Sequence, residues 1–414
     1  MPSLGCVDRA SRYSFRMTHR WLESPGKKAV GLLVGAAILF FLPIFWSLSQ
    51  QFTDFGAHLE FTQTMIRRGG TPLSHFVFQY GVAFFYHSGL SLIASATLLL
   101  LIATVATALV VYVIFRRDSE PWLAASLTFG ILVIGPLSIV TLPEKNLYLG
   151  YMTPNAYHNP TLGLLKPAAL GLLMLGARAF ERGVPSPRWG LVGGAAALSV
   201  LSCLTKPSFQ ICFLPGLGLL TALAIVRREE VDLRLCVLGI AVPSFLTLGW
   251  QYSVSFDQVQ TSEIFVAPFK VINFLADQVF LKFLLSLVLP AAVTASFFRE
   301  AVKDKQLMIA WATAAFGLTY AYFLAESGSR ITHGNFLWSG YISVFVLYVA
   351  CVPVLLRQKG PEPIFFRMAI GSEPQRTLRL TKIQICWGLF GLQVVSGTIF
   401  AVSQMFGEDY LRYW

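Results

Sequence analysis

Charge is what this sequence has least of. Only 13% of its 414 residues are Asp, Glu, Lys or Arg, against roughly a quarter in a soluble domain. So few ionisable groups cannot cover a water-facing surface, which excludes an ordinary soluble protein. Cysteine is also scarce. Cys6 lies in the N-terminal stretch, and Cys203, Cys212, Cys236, Cys351 and Cys386 fall in or beside apolar blocks, so no disulfide framework is implied. There is no CxxC or HExxH pattern to hold a metal, and no Walker or GxGxxG loop to cradle a nucleotide. The first 28 residues contain no apolar core followed by a small-residue cleavage site, so they read as a basic cytoplasmic tail (1–28) that can rest on anionic lipid. No tandem repeat or low-complexity tract is evident.

What the chain has in quantity is apolar sequence, 55% of its residues. It is arranged in blocks of about 17–25, the length that crosses a bilayer as helix. Strand-length alternation is missing, and lipid offers backbone amides no partners, so the blocks are expected to be helices. The expected fold is an all-α polytopic membrane protein. Its spans are placed at about 29–49, 90–115, 121–142, 160–178, 235–252, 279–298, 307–325, 337–356 and 383–406. The apolar stretch 189–226 is too long for one crossing at about 1.5 Å per residue. Lys206-Pro207 divides it into two short helices joined by a tight outer turn. That makes eleven spans within a transmembrane domain of 29–406, followed by an outer tail, 407–414.

The net charge of +11 would suggest nucleic acid in a soluble protein, but here its distribution matters more. With the N-terminus inside, 23 of the 32 Lys and Arg fall in cytoplasmic segments, as the positive-inside rule requires. No nucleic-acid partner is expected. The opposite face carries the outer loops 50–89, 143–159, 253–278 and 326–336. In the first of these, 54–68 reads as a short helix ended by Gly69-Gly70, and HFVFQYGVAFFYH suits an interfacial helix or a second reentrant piece.

Five of the six histidines (His58, His75, His87, His158 and His333) are assigned to that outer face, together with Asp54, Glu60, Glu144, Asp257, Glu263, Asp277 and Glu326. A transporter more often keeps its ionisable groups near mid-membrane. Asp54 and His58 stand four apart on one helix face, where a carboxylate can serve as general base and the imidazole can orient it or bind phosphate. The plain alternative is an Asp N-cap beside an interfacial His. In Tyr157-His158-Asn159-Pro160-Thr161, Pro160 suits a first helical turn. His158 and Asn159 then lie at a helix N-terminus able to take an anion. Lys166, shallowly buried one to two turns further on, either snorkels or neutralises a lipid phosphate. Lys206 sits at the outer hairpin turn. Glu326, Arg330, His333 and Asn335 lie close together in the fourth loop. There Arg330 either grips phosphate bidentately or pairs with Glu326. A cationic groove facing an acidic helix at this interface fits transfer from an anionic lipid donor, because ATP and nucleotide sugars are cytoplasmic.

The segments TDFGAHLEF with Asp54, YHNPT before the helix carrying Lys166, and KPSF at 206–209, set among short hairpin spans, resemble the GT-C superfamily of membrane glycosyltransferases. The resemblance covers architecture over roughly residues 29–350. It implies a polyprenyl-phosphate-linked sugar donor, a glycan or lipid acceptor hydroxyl, and inversion at the anomeric carbon. It implies Asp54 as the base, and it puts Lys166, Lys206 and Arg330 where such enzymes hold lipid phosphate. The residues themselves add His58 beside Asp54 as a catalytic candidate, and His158, Asn159, Glu326 and His333 as candidate contacts to lipid phosphate or sugar. No cofactor is expected. A divalent metal stays open because Asp54 is not followed by a second acid, and this departure from family members with an Asp-Glu pair leaves metal dependence undefined. The compact loops favour a bacterial inner membrane. An O-antigen-ligase-like or polymerase-like transferase would instead depend on Arg330 and His333. A transporter would need a mid-membrane polar pathway, and a scaffold would bind without turnover.

Overall fold

The computed structural model describes residues 24–51, 53–70, 74–138, 149–181, 189–256, 263–328, 331, 334–358, 363–368 and 376–406. The terminal tails 1–23 and 407–414, together with Glu144, Asp257, Arg330 and His333, lie outside the described residues.

The chain begins with α1 (Ser24–Leu48), followed by two short helices within the 50–89 stretch, α2 (Asp54–Arg68) and α3 (Val77–His87). Both occupy the segments expected from the sequence. Gly69 closes α2 in the left-handed region, at φ +73°, where glycine carries no Cβ penalty. Next come α4 (Leu92–Arg116), α5 (Pro121–Val133), α6 (Pro160–Arg178), α7 (Trp189–Thr205) and α8 (Ser208–Val226). The break between α7 and α8 falls at Lys206-Pro207, as the length of the apolar stretch required. A π-helical segment, Leu235–Ala241, runs directly into α9 (Val242–Phe256). The remainder comprises β1 (Ile264–Val266), α10 (Lys270–Leu275), α11 (Val279–Ser296), α12 (Phe298–Ala301), α13 (Lys305–Phe323), β2 (Leu324–Glu326), α14 (Leu337–Leu356), β3 (Pro363–Met368), β4 (Arg376–Thr381) and α15 (Lys382–Ser403).

Among the described residues, eight helices are long and apolar enough to cross a membrane: α1, α4, α6, α8, the π segment with α9, α11, α14 and α15. α5 and α7 are apolar but shorter. The chain is a helical, polytopic integral membrane protein. Strand structure among the described residues is confined to two antiparallel pairs that the sequence reading did not foresee. In one, β1 meets β2 in the register Ile264↔Glu326, fastening the connection before α10 to the one after α13; in the other, β3 pairs with β4.

α14 is the central post of the bundle: 94% of its apolar window is buried inside the protein. A helix that is apolar on every side belongs in an interior, and α14 packs against α13, α8 and α11. At the end of α14 remote from the first loop, Arg357 pairs with Asp304 and lies 3.9 Å from Asp118, while Lys305 reaches Glu229 at 2.8 Å. The Arg357 pairs tie the connections after α4 and α12 to the end of α14, and the Lys305–Glu229 pair ties the connection after α8 to the start of α13.

Three of the eleven expected spans, those at α5, α7 and α13, are not among the eight helices long and apolar enough to cross a membrane, and the first of them also ends early. Instead of a helix over 121–142, α5 stops at Val133, and residues 134–137 continue without helical hydrogen bonding. Gly135-Pro136 explains the stop, since proline disfavours helical geometry in the residue before it. Non-helical backbone at such depth survives only when protein groups satisfy it. Here Gly135 N donates to Gln393 O at 3.1 Å. Ser396 Oγ donates to Pro136 O at 2.6 Å and lies 2.7 Å from Ser138 Oγ, whose own backbone N–H donates to Ser396 Oγ at 3.1 Å. α15 can approach this closely only because position 397 is glycine: a Cβ there would overlap Val133 O and Gly135 N.

Replacing Gly397 with alanine should therefore destabilise the protein by about 1–3 kcal/mol or more through overpacking. Gly388→Ala on the same helix, where a Cβ meets nothing, should stay near wild type. Thermal unfolding in nanodiscs measures both, and equal melting of the two variants would refute the close-packing account.

Candidate functional site

The end of α1, the start of α6, the α7–α8 turn and the start of α14 meet at one end of the bundle. Asp54 occupies the first position of α2. It is not the cap of that helix: the N-cap is Thr53, whose Oγ1 accepts from Phe55 N at 3.1 Å. The Asp54 carboxylate is thereby left for other work. Its Oδ2 accepts from Asn159 Nδ2 at 2.8 Å, and among the described residues Oδ1 accepts no hydrogen bond.

Asn159 caps α6. Its Oδ1 accepts from Leu162 N at 2.9 Å and from Thr161 Oγ1 at 2.8 Å, which fixes the amide with its NH2 towards Asp54. The Thr161 hydroxyl in turn accepts from Lys206 Nζ at 3.1 Å. A continuous chain therefore runs Asp54–Asn159–Thr161–Lys206, joining three segments far apart in sequence. Lys206 Nζ also lies 5.0 Å from the Trp338 ring centroid, and the His158 ring is 5.6 Å from the same indole.

His58 lies on the buried side of α2, where Gln79 Nε2 of α3 donates to its Nδ1 at 2.9 Å. With Nδ1 as acceptor, a neutral imidazole carries its proton on Nε2. The His75 ring is 6.3 Å from that of His58. Burial pushes His58 well below the usual imidazole range, helped by the Lys206 charge and by His75. Burial brings His75 down to about 3, again with help from Lys206. His158 is lowered by burial and by Lys206, while Asp54 opposes the shift. Lys206 is lowered to about 8 by burial, with the Asp54 carboxylate supporting its charge. At neutral pH the site thus combines an ionised lysine and neutral imidazoles in a region of low dielectric.

The structure brings together Asp54, His158, Asn159 and Lys206 of the residues singled out in the sequence, with His58 just behind them. It places Lys166 elsewhere: its Nζ donates to Asn155 Oδ1 and lies 4.5 Å from the Phe345 ring centroid. Glu326 sits at the end of β2 and accepts from Asn335 Nδ2. Sequence reasoning gave no catalytic or binding role to Thr161, His75, Gln79, Asn155 or Trp338. Thr161 was visible within YHNPT. Trp338 had no local signal, because its relevance comes only from its contact with the α7–α8 turn. Among the described residues, no group of three or more His, Cys, Asp or Glu could hold a metal ion.

Comparison with protein-family models, curated proteins and solved structures yields no match for this chain.

The displaced Lys206 pKa has a consequence of definite sign. Between about pH 8 and 10.5 the unfolded lysine carries a proton that the folded one lacks, so stability rises with pH across that window. The stability of wild type relative to Lys206→Met should climb by at most about 1.4 kcal/mol per pH unit there. Denaturation at a series of pH values measures this, and a flat difference would refute a buried ammonium at position 206.

Proposed function

We propose that this chain is a glycosyltransferase of GT-C type that moves a sugar from a polyprenyl-phosphate-linked donor to an acceptor hydroxyl on a glycan or lipid. The observation that carries the reading is the Asp54 carboxylate, bound through one oxygen and open at the other, linked through Asn159 and Thr161 to the Lys206 ammonium. This arrangement sets a base and a cation side by side at a helix end. The same end holds the N-terminus of α6, whose dipole favours negative charge. A transporter reading has less support, since these groups gather at one end of the bundle.

In the proposed reaction, Asp54 Oδ1 removes the proton from the acceptor hydroxyl as the hydroxyl oxygen attacks the anomeric carbon. The bond from that carbon to the phosphate oxygen breaks, its electron pair leaves with the polyprenyl phosphate, and the centre inverts. Lys206 stabilises the departing anion, the contribution expected to be largest in a water-poor site. Lys206 needs its proton for this role, so transfer should decline as pH rises through about 8.

The proposed topology has eleven spans. The N-terminus and the Arg357–Asp304 end are cytoplasmic, and the Asp54 site and the C-terminus lie on the opposite, periplasmic face of a bacterial inner membrane. The basic inner loops support this orientation.

Release of free polyprenyl phosphate from candidate lipid-linked sugars in nanodiscs, in the presence of acceptor, tests the assignment. Asp54→Asn should lower the rate by about 10²–10⁴-fold while leaving the melting temperature near that of wild type. Equal rates for the two proteins would remove Asp54 as base.

A further inference from the structure

Lys166 is a buried lysine that the proposed reaction does not use, and its surroundings explain why it is there. α5 ends inside the protein, so its last carbonyls lose their helical partners. Both hydrogens of the Asn155 amide are committed to that end: Nδ2 donates to Ile131 O at 2.9 Å and to Ile134 O at 2.8 Å. Tyr157 OH donates to Leu132 O at 3.1 Å. Asn155 Oδ1 is left as an acceptor, and Lys166 Nζ donates to it from the second turn of α6. The ammonium thus sits at the negative end of the α5 dipole, one amide removed, with the Phe345 ring on another side. The backbone around Asn155 is pinned as well. Met152 N donates to Ser286 Oγ at 2.9 Å, Asn155 N donates to Thr153 Oγ1 at 3.3 Å, and Thr153 Oγ1 donates to Asn155 O at 3.1 Å.

Asn159, which holds Asp54, is four residues beyond Asn155 in the same buried segment. We propose that Lys166 is a positioning residue that acts through Asn155. It locks the 149–159 segment against the broken end of α5, and so sets where Asn159 presents Asp54, without itself touching the lipid phosphate. The consequence for catalysis rests on the reading of Asp54 as base; the mechanical link between Lys166 and the Asp54–Asn159 contact does not.

Two readouts separate these layers. In transfer assays, Lys166→Met should lower kcat by about 100-fold, with the donor KM within about twofold of wild type, and Lys166→Arg should recover part of the loss. A raised donor KM at unchanged kcat would overturn the proposal and make Lys166 a phosphate ligand. Independently of any activity, Asp54→Cys with Asn159→Cys should crosslink through a short bifunctional thiol reagent, and adding Lys166→Met should reduce the yield. An unchanged yield would overturn the proposal. Should Lys166→Met fail to fold, the pair Asn155→Leu and Lys166→Met/Asn155→Leu takes its place. The single variant strands an ammonium with its acceptor removed, so the double variant should melt higher than the single. A double variant that melts no higher than the single would refute the link. Wild-type protein that turns over no donor, alongside a crosslink that still depends on Lys166, would count against the glycosyl-transfer reading alone.

Discussion

In a lipid-facing bundle, a peptide group that leaves its helix must find a partner within the protein, because water is not there to replace it. The organisation around the site follows from one such departure, at Val133. The carbonyls freed at the end of α5 are met from one side by Asn155 and Tyr157, while the next stretch of backbone is met from the other side by Gln393 and Ser396. The 149–159 segment and α15 are therefore docked by the same requirement. Tyr157 reports the junction, since it bonds to the α5 carbonyl and also stacks on Phe400 of α15 at 5.7 Å.

The site inherits its electrostatics from the same dry surroundings. Removing water favours the neutral form of each imidazole. The one ammonium in the chain of hydrogen bonds keeps its charge with the help of a carboxylate nearby. That carboxylate is available because a threonine took the capping duty at the start of α2 and an asparagine took it at the start of α6. Cap side chains normally end their reach at their own helix. Asn159 instead uses its oxygen for α6 and its NH2 for Asp54, so the entry to one helix doubles as the support for the charge on another.

Much of the architecture was legible from residue order alone. The apolar blocks marked where helices form. Gly69 marked the end of α2, Pro160 the beginning of α6, and Lys206-Pro207 the hairpin turn. These are local matters, since backbone satisfaction in lipid leaves helix as the default and Gly and Pro punctuate it by their own φ preferences. Asp54, His158, Asn159 and Lys206 could be singled out for a related reason: polar groups beside apolar spans are few, so each stands out.

What residue order could not convey is which of these groups meet. The contact of Asp54 with Asn159 spans 105 positions and that of Lys206 with Thr161 spans 45; both exist only because α2, α6 and the α7–α8 turn converge. Lys166 and Lys206 look alike in sequence, each a lone lysine near one end of an apolar helix, yet one faces Asn155 and the other faces Thr161 and Trp338. The early end of α5 belongs to the same class, for its apolar residues run on past Val133, and only the groups of α15 and the 149–159 segment make a break there tolerable. The sequence by itself determined a membrane-embedded helical chain and a short set of polar residues at its helix ends, because burial and backbone hydrogen bonding act locally. The tertiary structure decided which carboxylate, amide and ammonium share one site, because that depends on how helices distant in sequence pack together.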